Sequence, residues 1–113
     1  MNENRRESDR YDVSLYVEQI EREVPQARIL NLSASGFLVR GEVCAGAGGI
    51  FHASFRVRPS SGEMLVSTRG MVVNSSRNGT VFEYGIKIES FGSPTEESAY
   101  HAYVSELSGR AAS

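Results

Sequence analysis

The chain has 113 residues, 40% of them hydrophobic and 23% charged, which corresponds to one globular domain able to bury a core without metal or disulfide staples. No apolar run approaches the roughly 18 residues that a bilayer span requires. A net charge of -2, from 12 basic and 14 acidic residues, argues against broad electrostatic binding to a polynucleotide or an anionic membrane and leaves room only for local anion recognition.

The first residues, Met1, Asn2, Glu3, Asn4, Arg5 and Arg6, open with charge and lack the apolar segment of a secretory signal. The single cysteine, Cys44, has no internal partner for a disulfide. Together they predict a reducing, cytoplasmic setting, in which the glycosylation-type tripeptides at Asn31, Asn74 and Asn78 are ordinary turn and strand residues. Eleven of the 12 basic residues are arginine, and Arg5, Arg6 and Arg10 all lie within the first ten positions. Compositional bias explains an excess of arginine but not such a cluster. Residues 1–11 therefore read as a charged, flexible arm.

From residue 12 the pattern has period two, with Val13, Leu15 and Val17 on one face and Ser14, Tyr16 and Glu18 on the other. A second strand over residues 27–32 runs into the small, polar turn Ser33, Ala34, Ser35 and Gly36, and a third begins at Phe37. Gly46, Gly48 and Gly49 mark a loop. Phe51, Ala53, Phe55 and Val57 then alternate with polar residues up to a turn at residues 59–62. A long strand over residues 64–74 reaches Asn78-Gly79, a pair suited to a tight hairpin, and Phe82, Tyr84, Ile86 and Ile88 alternate beyond it. Six strands joined by short turns, without helices between them, predict a small antiparallel β-barrel over residues 12–92, since closure hides the strand edges.

The period then changes. Ser93 and Glu96 form a capping-box pair around Pro94 at the first helical position, predicting a helix over residues 93–109 with Gly109 as its left-handed cap and residues 110–113 as a tail. Tyr100, Tyr103, Val104 and Leu107 make one apolar stripe, which packs on the barrel or serves an interface. The fold class is thus all-β with a C-terminal helix.

Constellations for catalysis are scarce. Cys44 has no patterned histidine beside it, and His52 and His101 lack carboxylate or cysteine partners at metal-ligand spacing. Glu96 and Glu97 suit the positive end of a helix dipole and need no catalytic role. The expectation is a protein that is not an enzyme and uses neither metal nor cofactor.

Two segments point to binding. In residues 5–10, Arg6 and Arg10 bracket three polar residues just before the first strand; planar guanidinium groups fork onto phosphate or base edges and stack on purines. In residues 31–36, Asn31 offers an acceptor and a donor, Ser33 a hydroxyl, and Gly36 a left-handed backbone or a close approach for a ligand. Alone, each is an ordinary charged arm or an ordinary turn.

In this order, the segments resemble the PilZ domain family of bacterial cyclic di-GMP receptors, whose pattern is R-x-x-x-R followed by D/N-x-S-x-x-G. Arg6 and Arg10 match the first motif, and Asn31, Ser33 and Gly36 the second. The resemblance runs from about Arg5 to Leu107, with residues 70–73 and 84–86 as weaker hydrophobic landmarks.

It implies a six-stranded barrel with a C-terminal helix. Arg6 and Arg10 would grip guanine edges and phosphates, with Asn31, Ser33 and Gly36 contacting guanine and sugar-phosphate. Arg5, just before the first motif, implies an intercalated ligand pair, two per chain. Asn31 replaces the commoner aspartate, and Asn74 stands where many members carry a basic residue. The resemblance further implies an arm that orders on ligand binding and a downstream partner protein controlling motility, attachment or exopolysaccharide. The alternative is a PilZ-like adaptor of the type IV pilus kind, which binds protein and not nucleotide; its members lack both motifs. A barrel for single-stranded nucleic acid would need a basic groove interleaved with aromatics, contrary to the net charge.

Overall fold

The computed structural model describes residues 10–20, 27–41 and 48–112. The period-two segments form β1 (Tyr11–Tyr16), β2 (Gln19–Ile20), β3 (Arg28–Leu32), β4 (Gly36–Gly41), β5 (Ile50–Val57), β6 (Met64–Asn78) and β7 (Val81–Phe91), followed by α1 (Pro94–Ala112). All pairings are antiparallel, in one sheet of order β1-β3-β4-β7-β6-β5-β2. Its two edges, β1 and β2, belong to the same stretch of chain. Val17 donates its N–H to Ala27 O at 3.0 Å, whereas Glu18 donates to Ser54 O at 2.8 Å. Residues 11–20 are therefore one broken strand that bonds β3 with its first part and β5 with its second. Counted this way, the barrel has the six expected strands, and curling the sheet onto this shared strand covers both edges.

The alternation of the first strand is kept, with Tyr11, Val13, Leu15 and Val17 packed against the core and Asp12, Ser14, Tyr16 and Glu18 exposed. Ile29, Leu32, Phe37, Val39, Phe55, Val57, Val66, Val72 and Tyr84 fill the interior. The β6–β7 hairpin closes one residue later than Asn78-Gly79 suggests. Asn78 pairs with Val81, so Gly79 is the first central residue, and its φ of 68° supplies the left-handed backbone that primed turns need there.

Helix α1 begins as the capping box predicts. Glu96 donates its N–H to Ser93 Oγ at 3.2 Å, and the Ser93 hydroxyl donates to the Glu96 carboxylate at 3.1 Å. The second carboxylate oxygen accepts the Ser67 N–H of β6 at 2.6 Å, so Glu96 also ties the helix to the barrel. At the other end of the helix, the Glu106 carboxylate accepts the N–H and hydroxyl of Ser60. Between these ties Tyr100 and Val104 are buried, and Tyr103 and Leu107 pack against the core; the stripe is barrel packing.

The expected stop at Gly109 is not observed: the helix continues to Ala112. A single glycine costs a helix only about 1 kcal/mol, which does not suffice to end it. The expected tail is thus helical over residues 110–112, and Ser113 lies outside the described residues. No helix of the described residues is long and apolar enough to cross a membrane.

Candidate functional site

The turn joining β3 to β4 is held from three sides. Within it, Ser33 donates its N–H to Gly36 O at 2.8 Å, and Ser35 donates its N–H to Ser33 Oγ at 3.3 Å. From β7, Ile88 donates its N–H to Ser35 O at 2.9 Å. From α1, the Tyr100 hydroxyl donates to Ser33 O at 2.7 Å and approaches Gly36 O at 3.3 Å. Ser33 and Gly36 are buried, whereas Ala34 and Ser35 face outward.

Gly36 does not take the left-handed backbone that was one of its two expected roles, and it meets a packing constraint besides. A Cβ there would lie 2.1 Å from the Ile86 carbonyl oxygen, so glycine is required by the approach of β7 at this level of the barrel.

The two motifs meet at their inner ends. Arg10, one residue before β1, donates from Nη1 to Asn31 Oδ1 at 3.2 Å. Pairing of β1 with β3 sets Asp12 against Asn31, which brings the end of the arm beside the turn. Arg5 and Arg6 lie outside the described residues, as does Cys44. Several other arginines are engaged in ion pairs: Arg40 with Glu83, Arg56 with Glu18 and Glu63, Arg58 with Glu63, and Arg69 with Glu89. Arg28 instead sits over the Tyr16 ring and donates to its hydroxyl. Among the described residues, Arg10 donates its guanidinium to an uncharged amide and to no carboxylate.

Register extends the surface beyond the motifs. Gly36 is paired with Lys87, and Lys87 with Met71. Lys87, the chain's one lysine, is exposed beside the turn. Asn74, which stands at the position often basic in the resembled family, accepts the Gly85 N–H at 3.2 Å, at an irregularity between β6 and β7.

Ala34 and Ser35 border a groove of about 510 Å³ that also reaches Ile88, Phe91, Pro94 and His101 but includes neither Arg10 nor Asn31. Arg10 and Asn31 meet on a polar surface outside that groove. Such a surface, with guanidinium, amide and hydroxyl donors, suits a planar, anionic ligand covered by a neighbouring segment.

His52 is exposed on β5. His101 stacks edge-on against Phe91 and Tyr100 and lies 3.9 Å from Glu97. Among the described residues, no group of three or more histidine, cysteine or acidic side chains is placed to hold a metal ion.

Tyr100 is the site residue that sequence reasoning missed. By spacing it belongs to the apolar stripe, yet burial gives a tyrosine hydroxyl a strong need for a partner. A tyrosine opening such a stripe is the available signal. Burial pushes its pKa above the usual phenol range, and the nearby Arg10 charge opposes this.

The PilZ domain family model matches residues 4–106. Among solved structures, the Bacillus subtilis inhibitor of motility, MotI/DgrA, is similar with a TM-score of 0.72 at 16% identity. That alignment covers 93% of this chain and 52% of the other, so the chain spans about half of that protein. No curated protein matches.

Proposed function

The chain belongs to the PilZ domain family, and from this premise we propose that it is a cytoplasmic receptor for cyclic di-GMP that signals through a partner protein and carries no catalytic activity. The observation that carries the reading is the Arg10–Asn31 hydrogen bond, which joins the arginine motif to the Asn31, Ser33 and Gly36 turn. In this reading Arg6 and Arg10 bind guanine edges and phosphates from the arm, and Asn31, Ser33 and Gly36 contact guanine and sugar-phosphate. Gly36 keeps the turn close to the barrel wall. Arg5 stacks on, or neutralises, a second nucleotide, giving two ligands per chain.

The ligand's contacts with the arm exist only in the bound state, and this difference is what orders the arm. A downstream protein reads the altered arm and barrel face, and motility, attachment and exopolysaccharide control are the processes proposed. A fold likeness to an inhibitor of motility is compatible with this but does not identify the partner.

Titration calorimetry with cyclic di-GMP, with GTP as the control nucleotide and Arg6→Ala beside the parent, tests the reading. Micromolar or tighter binding that the variant loses is expected, with a stoichiometry near two. A folded parent that gives no heat, and no binding by a second method, refutes the receptor and leaves the protein-binding adaptor.

A further inference from the structure

We propose that Tyr100 is a positioning residue for the ligand turn, so that ligand affinity depends on how helix α1 is seated on the barrel. The proposal rests on the receptor reading and assigns a coupling within that same site. Tyr100 is fully buried. Its ring packs against Phe55 and Phe91, with centroids 6.1 and 5.3 Å away, and its hydroxyl reaches Ser33 O at 2.7 Å and Gly36 O at 3.3 Å. One group from the helix thus bridges the carbonyls of two motif residues.

The bridge bears directly on Ser33. Gly36 O already accepts the Ser33 N–H at 2.8 Å, while the Ser33 hydroxyl lies 3.4 Å from the same oxygen, a long contact. With Tyr100 also donating to this cluster, the inward carbonyls are satisfied without the Ser33 hydroxyl, whose proton can turn to a ligand. Without the phenol, Ser33 O loses a buried partner. The hydroxyl of Ser33 and the turn backbone must then rearrange toward the unsatisfied oxygens. Arg10, from the first motif, is close enough for its charge to act on the same phenol.

Linkage makes the coupling reciprocal: if seating of α1 favours the binding-competent turn, ligand binding must favour the seated helix by the same factor. The helix ties at Glu96 to Ser67 and Glu106 to Ser60 involve no residue of the turn, whereas Tyr100 joins the helix to it directly.

Tyr100→Phe keeps the ring and removes only the hydroxyl. Val104→Ala, one helical turn later on the same face, is the comparison: it removes buried core packing but keeps the phenol, so the helix stays seated in the folded protein. Cyclic di-GMP affinity is measured by calorimetry, and amide hydrogen exchange of residues 33–36 and of α1 is followed with and without ligand. Tyr100→Phe is expected to weaken binding about five- to tenfold, the scale of one hydrogen bond. It should also speed exchange at Ser33 and Ser35 in the free protein and abolish ligand-induced protection of α1. Val104→Ala should lower the melting temperature with affinity and turn exchange unchanged.

Unchanged affinity in Tyr100→Phe, or equal losses in both variants, overturns the proposal. If the parent itself does not bind, the receptor reading fails. Turn exchange in the free proteins then decides separately whether Tyr100 positions the turn, and equal exchange in parent and Tyr100→Phe refutes that as well.

Discussion

A Cβ on Gly36 would lie 2.1 Å from the Ile86 carbonyl oxygen and 3.2 Å from its carbonyl carbon, both backbone atoms of the neighbouring strand that cannot rotate aside. Gly36→Ala must therefore part β4 from β7, and a loss of about 2–4 kcal/mol in urea unfolding is expected, in the range of overpacked core positions. Arg10 has the opposite character. It is exposed, and its one hydrogen bond among the described residues goes to the half-buried Asn31 amide, so Arg10→Ala should change stability by no more than about 0.5 kcal/mol. Its binding to cyclic di-GMP should weaken by about 1.5–3 kcal/mol, the scale of charge-assisted hydrogen bonds. Comparing calorimetry and unfolding for the two variants separates effects on binding from effects on the fold. A destabilised Arg10→Ala would assign that arginine to the fold.

At the scale of elements, the helix is joined to the barrel by polar ties at both ends and an apolar stripe between them. Glu96 and Glu97 look equivalent in sequence, as neighbouring acids in a first turn. In the fold only Glu96 turns back onto Ser93 and accepts the Ser67 N–H, whereas Glu97 is exposed beside His101. Glu96→Ala removes a cap and leaves the partly buried Ser67 amide without this acceptor, for an expected loss of about 1–3 kcal/mol. Glu97→Ala should cost only about 0.3–1 kcal/mol through the helix dipole. Urea denaturation of the pair measures the difference, and equal losses would refute the assigned tie. The hairpin makes a similar point: the Asn-Gly signal correctly placed the turn, but pairing of Asn78 with Val81 moved the centre to Gly79 and Thr80.

At the scale of the whole molecule, the barrel closes because one strand serves both sheet edges and because the helix packs Tyr100 and Val104 onto the core. The buried Tyr100 phenol makes stability depend on alkaline pH. Burial raises its folded-state pKa above the unfolded value of about 10, so the folded chain keeps a proton that the unfolded chain releases. This contribution is complete below about pH 10 and is lost as pH rises through the folded-state value. Unfolding free energy should therefore decline from about pH 10 upward in the parent and decline less steeply in Tyr100→Phe, as read from urea melts between pH 8 and 11. Parallel curves would show that another group governs the alkaline limit.

Much of the fold was legible because its signals are local. Period-two alternation marked the strands, the capping residues Ser93, Pro94 and Glu96 marked the helix start, and the i, i+3, i+4, i+7 stripe marked its buried side. The two motifs were also legible, since their residue types and order carry the family resemblance. What local signals do not encode is which distant backbone a residue meets. The break at Val17 and Glu18 exists only because β3 and β5 lie on opposite sides of one strand, and Gly36 is confined by Ile86, 50 positions away in the chain. Tyr100 read as one more apolar contact until the folded barrel put the Ser33 carbonyl 2.7 Å from its hydroxyl. Sequence by itself determined the elements and the chemistry of the two motifs. Tertiary structure decided how the barrel closes, why Gly36 must be glycine and which helix residue holds the turn, because each depends on contacts between segments far apart in the chain.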